Sequence, residues 1–129
     1  MFSKIILNLF VGFLIGFILE FFYRSIQARK IVAPKFINYQ MYGLTALFLS
    51  LLYFLNISFL LKLILIFIFP TLIEFLTGYL YFKIKKIRSW DYRKELYNYK
   101  GLICLKFSII WFLVALSYYY LLIPPILNL

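Results

Sequence analysis

Apolar residues run in long blocks along this chain, and strict alternation of apolar and polar positions is absent. Four blocks stand out, near residues 4–23, 37–56, 59–82 and 102–123. About 20 apolar residues wound as a helix at ~1.5 Å per residue cross the ~30 Å hydrocarbon core of a bilayer. The second block has the weakest pattern, because its opening INYQMYG is only mildly apolar. The turn Asn56-Ile57-Ser58 is so short that the second and third blocks should form a tight antiparallel hairpin. Pro124-Pro125 closes the fourth, since proline cannot continue the helical hydrogen-bond ladder. The first block could also be read as a signal peptide. It opens with a single lysine, lacks a small-residue cleavage site and is followed by the bulky EFFYRS, so a retained helix is expected. The pattern predicts an all-α polytopic membrane protein, a compact bundle of four transmembrane helices forming a single domain over residues 1–129.

In lipid, small and polar residues mark where helix backbones meet. The first block carries Gly12, Gly16 and Glu20 at steps of four, and the second aligns Gly43, Ala46 and Ser50. The third aligns Thr71, Glu74, Thr77 and Gly78, just after Pro70; the fourth aligns Gly101, Cys104, Ser108 and Ala115. Each helix therefore offers one stripe for close contact, and Gly12, Gly16, Gly43, Gly78 and Gly101 are the expected packing positions.

Composition sharpens this picture. The chain is 66% hydrophobic, against roughly 45–50% in a soluble domain, so lipid must serve as its solvent. A net charge of +10 could point to nucleic acid, but eleven of the fourteen basic residues fall in the two links 24–36 and 83–101. The positive-inside rule then puts both links in the cytoplasm, with the N-terminus, the Asn56 turn and the C-terminus outside a multi-pass protein of the cell membrane. The same links should attract anionic headgroups, which makes the bilayer, and not nucleic acid, the expected partner. The chain has no histidine and one cysteine, Cys104. No metal centre, no internal disulfide and no cofactor site is expected. A GxxxxGK[ST] phosphate loop is also missing from the sequence.

Glu74 is the residue that most needs a reason. It lies two turns inside the third block, about 12 Å deep at ~1.5 Å per residue. An unpaired carboxylate there costs several kcal/mol, so it should be protonated, paired or beside water. Two roles stay open: a buried hydrogen-bond anchor for the bundle, or a station on an ion, proton or substrate path. Glu20 is shallower and should pair with Arg24 one turn on. Lys106 and Lys62 should snorkel to the interfaces. In the link RSWDYRKELYNYKGLICL, Trp90 and Tyr92 suit a membrane interface. Asp91 should pair with neighbouring arginines or fix a turn through backbone amides. Asn98 and Gly101 read as turn signals.

These residues resemble a known family, the ABC-transporter type IV (CmpB-like) membrane proteins. GFILE (Gly16 to Glu20) matches the family's Gly-x-x-x-Glu, and QMYG (Gln40 to Gly43) matches its second-helix element without the proline. EFLTGYL (Glu74 to Leu80) fits the third-helix Glu-x-x-Thr. WDY (Trp90 to Tyr92), YN (Tyr97, Asn98) and GLICL (Gly101 to Leu105) follow at family spacing. The resemblance runs from about Gly12 to Ala115. Leu102 stands where the family usually has arginine and Leu96 where it often has proline, so a cationic partner for a buried acid is missing.

The resemblance implies a permease-like subunit taking part in transport, as a homo-oligomer or with other transporter subunits including an ATPase encoded elsewhere. The alternative is a non-transporting scaffold, assembly factor or lipid-contacting regulator. A membrane enzyme is the least favoured class, given so thin a set of catalytic side chains. Glu20, Glu74 and Asp91 gathered around one cavity would bring that class back. The candidate functional or structural positions are Glu20, Glu74, Thr77, Trp90, Asp91, Tyr92 and Asn98.

Overall fold

The computed structural model describes residues 1–128. Its elements are α1 (Phe2–Ala28), α2 (Phe36–Tyr53), α3 (Phe59–Lys85), a two-residue pairing of β1 (Asn98–Tyr99) with β2 (Ile103–Cys104), α4 (Leu105–Leu121) and α5 (Ile123–Leu127). At 27 residues each, α1 and α3 are about 40 Å long at ~1.5 Å per residue, and both are apolar enough to cross a bilayer. Only 22% of the apolar window of α1 and 17% of that of α3 is buried within the protein. Helices this apolar and this exposed need lipid around them, which places the protein in a membrane. Length and composition support two of the four expected spans. The remaining two differ for a physical reason: α2 opens with polar Asn38 and Gln40, while α4 has 17 residues because residues 101–104 are spent on a turn and strand.

α1 and α2 share the most extensive contact, and glycines make it possible. A Cβ on Gly12 would fall 2.6 Å from the Ala46 Cβ and 2.8 Å from the Tyr42 carbonyl oxygen. One on Gly16 would strike the Tyr42 ring at 2.6 Å, and one on Gly43 would collide with the Phe13 ring. Three of the five expected packing glycines thus form a single seam. The other two do different work. Gly78 faces Trp90 and Leu102 of the link between α3 and α4, and Gly101 lies in that link at φ 68°, outside any helix. Cys104 likewise belongs to β2 and precedes α4.

Around the seam, Phe48 of α2 stacks on Phe69 of α3 at 3.8 Å between centroids, and Phe67 of α3 meets Phe112 of α4 edge-on. Leu49, Leu52, Ile66, Ala115 and Ile123 fill the apolar core. Pro124 and Pro125 sit at the first positions of α5, where a missing N–H costs nothing, and Lys4 Nζ donates to the Leu127 carbonyl at 3.2 Å. Near that end the buried Asn8 bonds Ser50 of α2 and accepts from Tyr118 of α4, and Ser50 donates to the Ala46 carbonyl at 2.8 Å. This knot satisfies polar groups where no water reaches and ties three helices together.

Replacing Gly12 by leucine should prevent the α1–α2 seam from closing, because backbone lies on the other side. We expect a loss of about 1–3 kcal/mol, seen as a lower melting temperature in detergent. Leu14→Ile on the exposed face should leave the melt unchanged.

Candidate functional site

The link between α3 and α4 folds back as a cap over the end of the bundle where α1 and α3 finish. Trp90 Nε1 donates to the Leu102 carbonyl at 2.9 Å, and the Tyr92 amide donates to the Gly101 carbonyl at 2.9 Å. Asn98 closes the turn from both sides: its Oδ1 accepts from the Gly101 amide at 3.0 Å and its Nδ2 donates to the Glu95 carbonyl at 2.9 Å. Gly101 is needed here, since its positive φ suits glycine and a Cβ would meet Arg93 Cγ at 2.5 Å. Tyr97 and Lys100 also adopt left-handed backbone in this segment. The motif residues that looked like interface and turn signals therefore build one small folded unit.

Tyr99 of the cap packs on Phe75 of α3 at 5.7 Å, and two further contacts dock the cap on α3 beside the cavity. Trp90 and Leu102 rest on the bare backbone at Gly78. One helical turn away, Tyr92 Oη donates to Glu74 Oε1 at 2.7 Å. Burial and the neighbouring Glu74 carboxyl push the Tyr92 phenol well above its ordinary pKa, so it keeps the proton it donates. Phe107 of α4 stacks on the Tyr92 ring at 4.9 Å and holds it in place. Ser89 adds a tie to α2, donating to Asn38 Oδ1 at 2.6 Å. Thr77 accepts from Gln40 Nε2 at 3.2 Å and joins α3 to α2 outside the cap.

Between cap and helices lies a cavity of about 350 Å³. Glu20, Glu74 and Asp91 all line it, and so does Glu95, so every acidic residue in the chain meets at this one place. Arg24 and Lys106 are the basic residues of its wall; Tyr23, Trp90, Tyr92, Phe107 and Trp111 are the aromatic ones. Two carboxylates are matched. Glu20 pairs with Arg24 at 3.0 Å, the expected i,i+4 pair, and also accepts from Tyr42 Oη at 3.2 Å. Asp91 pairs with Arg93 at 2.6 Å and accepts from the Arg93 amide at 3.0 Å, so both expectations for it hold together. Glu74 has no basic partner among the described residues. Its Oε2 is buried with only the nearby Trp111 indole N–H to face, neither making a well-formed hydrogen bond, and Asn38 Nδ2 is buried without one on the same wall. Glu74 is 2% exposed and Asn38 1%. Buried polar atoms are nearly always well partnered, so a free Asn38 donor and a loosely held Glu74–Trp111 pair around one cavity mark a place suited to something polar.

Lys106 is exposed at the cap end of α4. Its side chain lines the cavity, with Nζ 5.3 Å from the Phe107 ring centroid. Asn38, Glu95 and Trp111 belong to the site without having stood out in the sequence. The scarcity of acids, four in 129 residues, is the signal that could have drawn Glu95 in. Asn38 and Trp111 carry no signal beyond a polar edge in an apolar block. A smaller apolar cavity of about 40 Å³ lies deeper, lined by Pro70, Ala46 and Tyr118 among others, and Met41 and Trp111 line both cavities.

Helices with lipid-facing apolar surfaces, capped at one end over a charged cavity, define an integral membrane protein. A model of the family described as "Putative ABC-transporter type IV" matches residues 7–129, nearly the whole chain. The chain belongs to that family, which places it among transporter-related membrane proteins. No curated protein and no solved structure matches it.

The cap should respond to acid through Asp91. Arg93 holds that carboxyl at about 2, below its ordinary 3.8. A depressed pKa stabilises the turn above 3.8 and loses that contribution as pH falls through about 2. The indole N–H resonance of Trp90 should therefore shift across this window, and Asp91→Asn should remove the transition.

Proposed function

We propose that the protein is the membrane-spanning subunit of a transport system and that the capped cavity is where cargo is held. In this reading all four long helices cross the bilayer. Both basic links, 24–36 and 83–101, lie in the cytoplasm, with the N- and C-termini outside. Four helices are few for a translocation path, so the subunit works as a homo-oligomer or with other subunits, an ATPase among them. The observation that carries the reading is the cavity. A chain with four acids brings all of them to one cavity and leaves a buried carboxylate oxygen there without a well-formed hydrogen bond. Family membership supports the same reading. So does the second, apolar cavity, which continues from Met41 and Trp111 toward Tyr118 and the Asn8 knot.

The convergence of carboxyls also favours a second reading, catalysis at the membrane surface. The geometry supports it less, because Arg24 and Arg93 occupy two of the four acids and the chain has no histidine to serve as base. A scaffold or assembly role leaves the loosely held Glu74 oxygen without a purpose.

Two measurements test the transport reading. In a Cys104→Ser background, Ala28→Cys and Lys94→Cys should be shielded from an impermeant thiol reagent in whole cells, and Asn56→Cys should react. Tagged protein drawn from its native membrane in mild detergent should bring an ATPase subunit or further copies of itself. A lone monomer in that preparation would argue for the scaffold.

A further inference from the structure

The cavity's chemistry also says what class of ligand it takes. We propose that it binds a small organic cation, an amine or a quaternary ammonium, with Glu74 as the counter-charge. The proposal rests on reading the cavity as the cargo site. Of the four carboxylates on its wall, Arg24 and Arg93 neutralise two, whereas Glu74 and Glu95 have no ion-pair partner among the described residues. An anionic ligand would meet the buried Glu74 Oε2 at close range in a poorly screened site and be repelled. A cation instead supplies the missing partner for that oxygen.

The wall beside Glu74 is aromatic. Tyr92 and Phe107 stack at 4.9 Å, and Tyr23 meets Phe107 edge-on at 6.2 Å. Ring faces attract ammonium groups within about 6 Å of the centroid, and Lys106 already places its ammonium 5.3 Å from Phe107. A ligand amine would use the same wall from inside the cavity. The free donor Asn38 Nδ2 calls for a second feature, a hydroxyl or other acceptor on the same ligand. The volume of about 350 Å³ equals about a dozen waters at ~30 Å³ each, enough for an amino alcohol or a headgroup of that chemistry. The amine can come from a free solute or from a lipid headgroup.

The chain's only two tryptophans, Trp90 and Trp111, both line the cavity, so intrinsic fluorescence reports its occupancy. The full-length protein in phosphatidylglycerol nanodiscs would be titrated with ethanolamine, choline, acetate and glycerol. A parallel sample in phosphatidylethanolamine nanodiscs tests the headgroup as the source. The proposal expects an amine response, free or lipid-borne, that weakens at least about ten-fold in Glu74→Gln, since bonds to a charged group are the strong ones. The side-chain amide introduced by that substitution can still accept from Tyr92, so the cap stays docked. Tyr92→Phe removes the donor that competes for Glu74 and one tie of the cap, while Trp90 on Gly78, the ring stack on Phe107 and the Ser89–Asn38 bond still hold the cap down, so it should bind amine at least as well as the wild type.

An amine response that is unchanged in Glu74→Gln, or lost equally in both variants, would overturn the proposal. So would an acetate or glycerol response in place of an amine response, although that result leaves the cargo-site reading standing. An amine response from a protein with neither an ATPase partner nor a second copy supports the amine site and sinks the transport reading.

Discussion

The docking of the cap on α3, with Trp90 at Gly78 and Tyr92 at Glu74, is the constraint on which the organisation of this molecule turns. It joins a loop rich in charge to the interior of an apolar helix, and it does so through a carboxyl that has no cation beside it. The Tyr92 bond satisfies one Glu74 oxygen and leaves the other facing a cavity. Gly78, one turn further along α3, lets the Trp90 ring lie against backbone, so the cap sits low enough for Tyr92 to reach. Without the glycine the ring would be lifted, and without the ring the phenol would lose its register.

The two ends of the bundle show two ways of keeping polar groups in a membrane. Near α5, Asn8, Ser50 and Tyr118 bond one another, leaving no donor or acceptor of that knot unmatched. Under the cap, donors and acceptors are set around open space instead. The first arrangement holds three helices in register, as interhelical hydrogen bonds do in lipid. The second carries an energetic cost that structure alone does not require, since an apolar side chain of similar volume would remove it.

Much of this is legible in the sequence because lipid imposes simple rules. The stripe Gly12, Gly16, Glu20 reads directly as a buried face, and the i,i+4 spacing of Glu20 and Arg24 reads as a pair. The Pro124-Pro125 stop and the turn residues Asn98 and Gly101 follow from backbone chemistry alone. What cannot be read is how a link folds in three dimensions. Asp91 and Glu95 sit four residues apart in a polar segment, and nothing local says that both face Glu20, which lies some seventy residues away in the chain. Gly101 misleads as a packing position for the same reason: a glycine at a helix entrance and a glycine in a left-handed turn look alike until the cap is seen.

The central claim is that the cap closes over a cavity that remains open to water. The two tryptophans test it within one sample. Trp90 Nε1 donates to the Leu102 carbonyl, whereas Trp111 Nε1 is buried with no well-formed hydrogen bond at the cavity wall. With ¹⁵N-labelled indoles in detergent or nanodiscs, transfer into deuterated water should exchange the Trp111 proton quickly and leave the Trp90 proton protected. A protected Trp111 beside a rapidly exchanging Trp90 would contradict the account, showing a dry interior under a cap that does not dock.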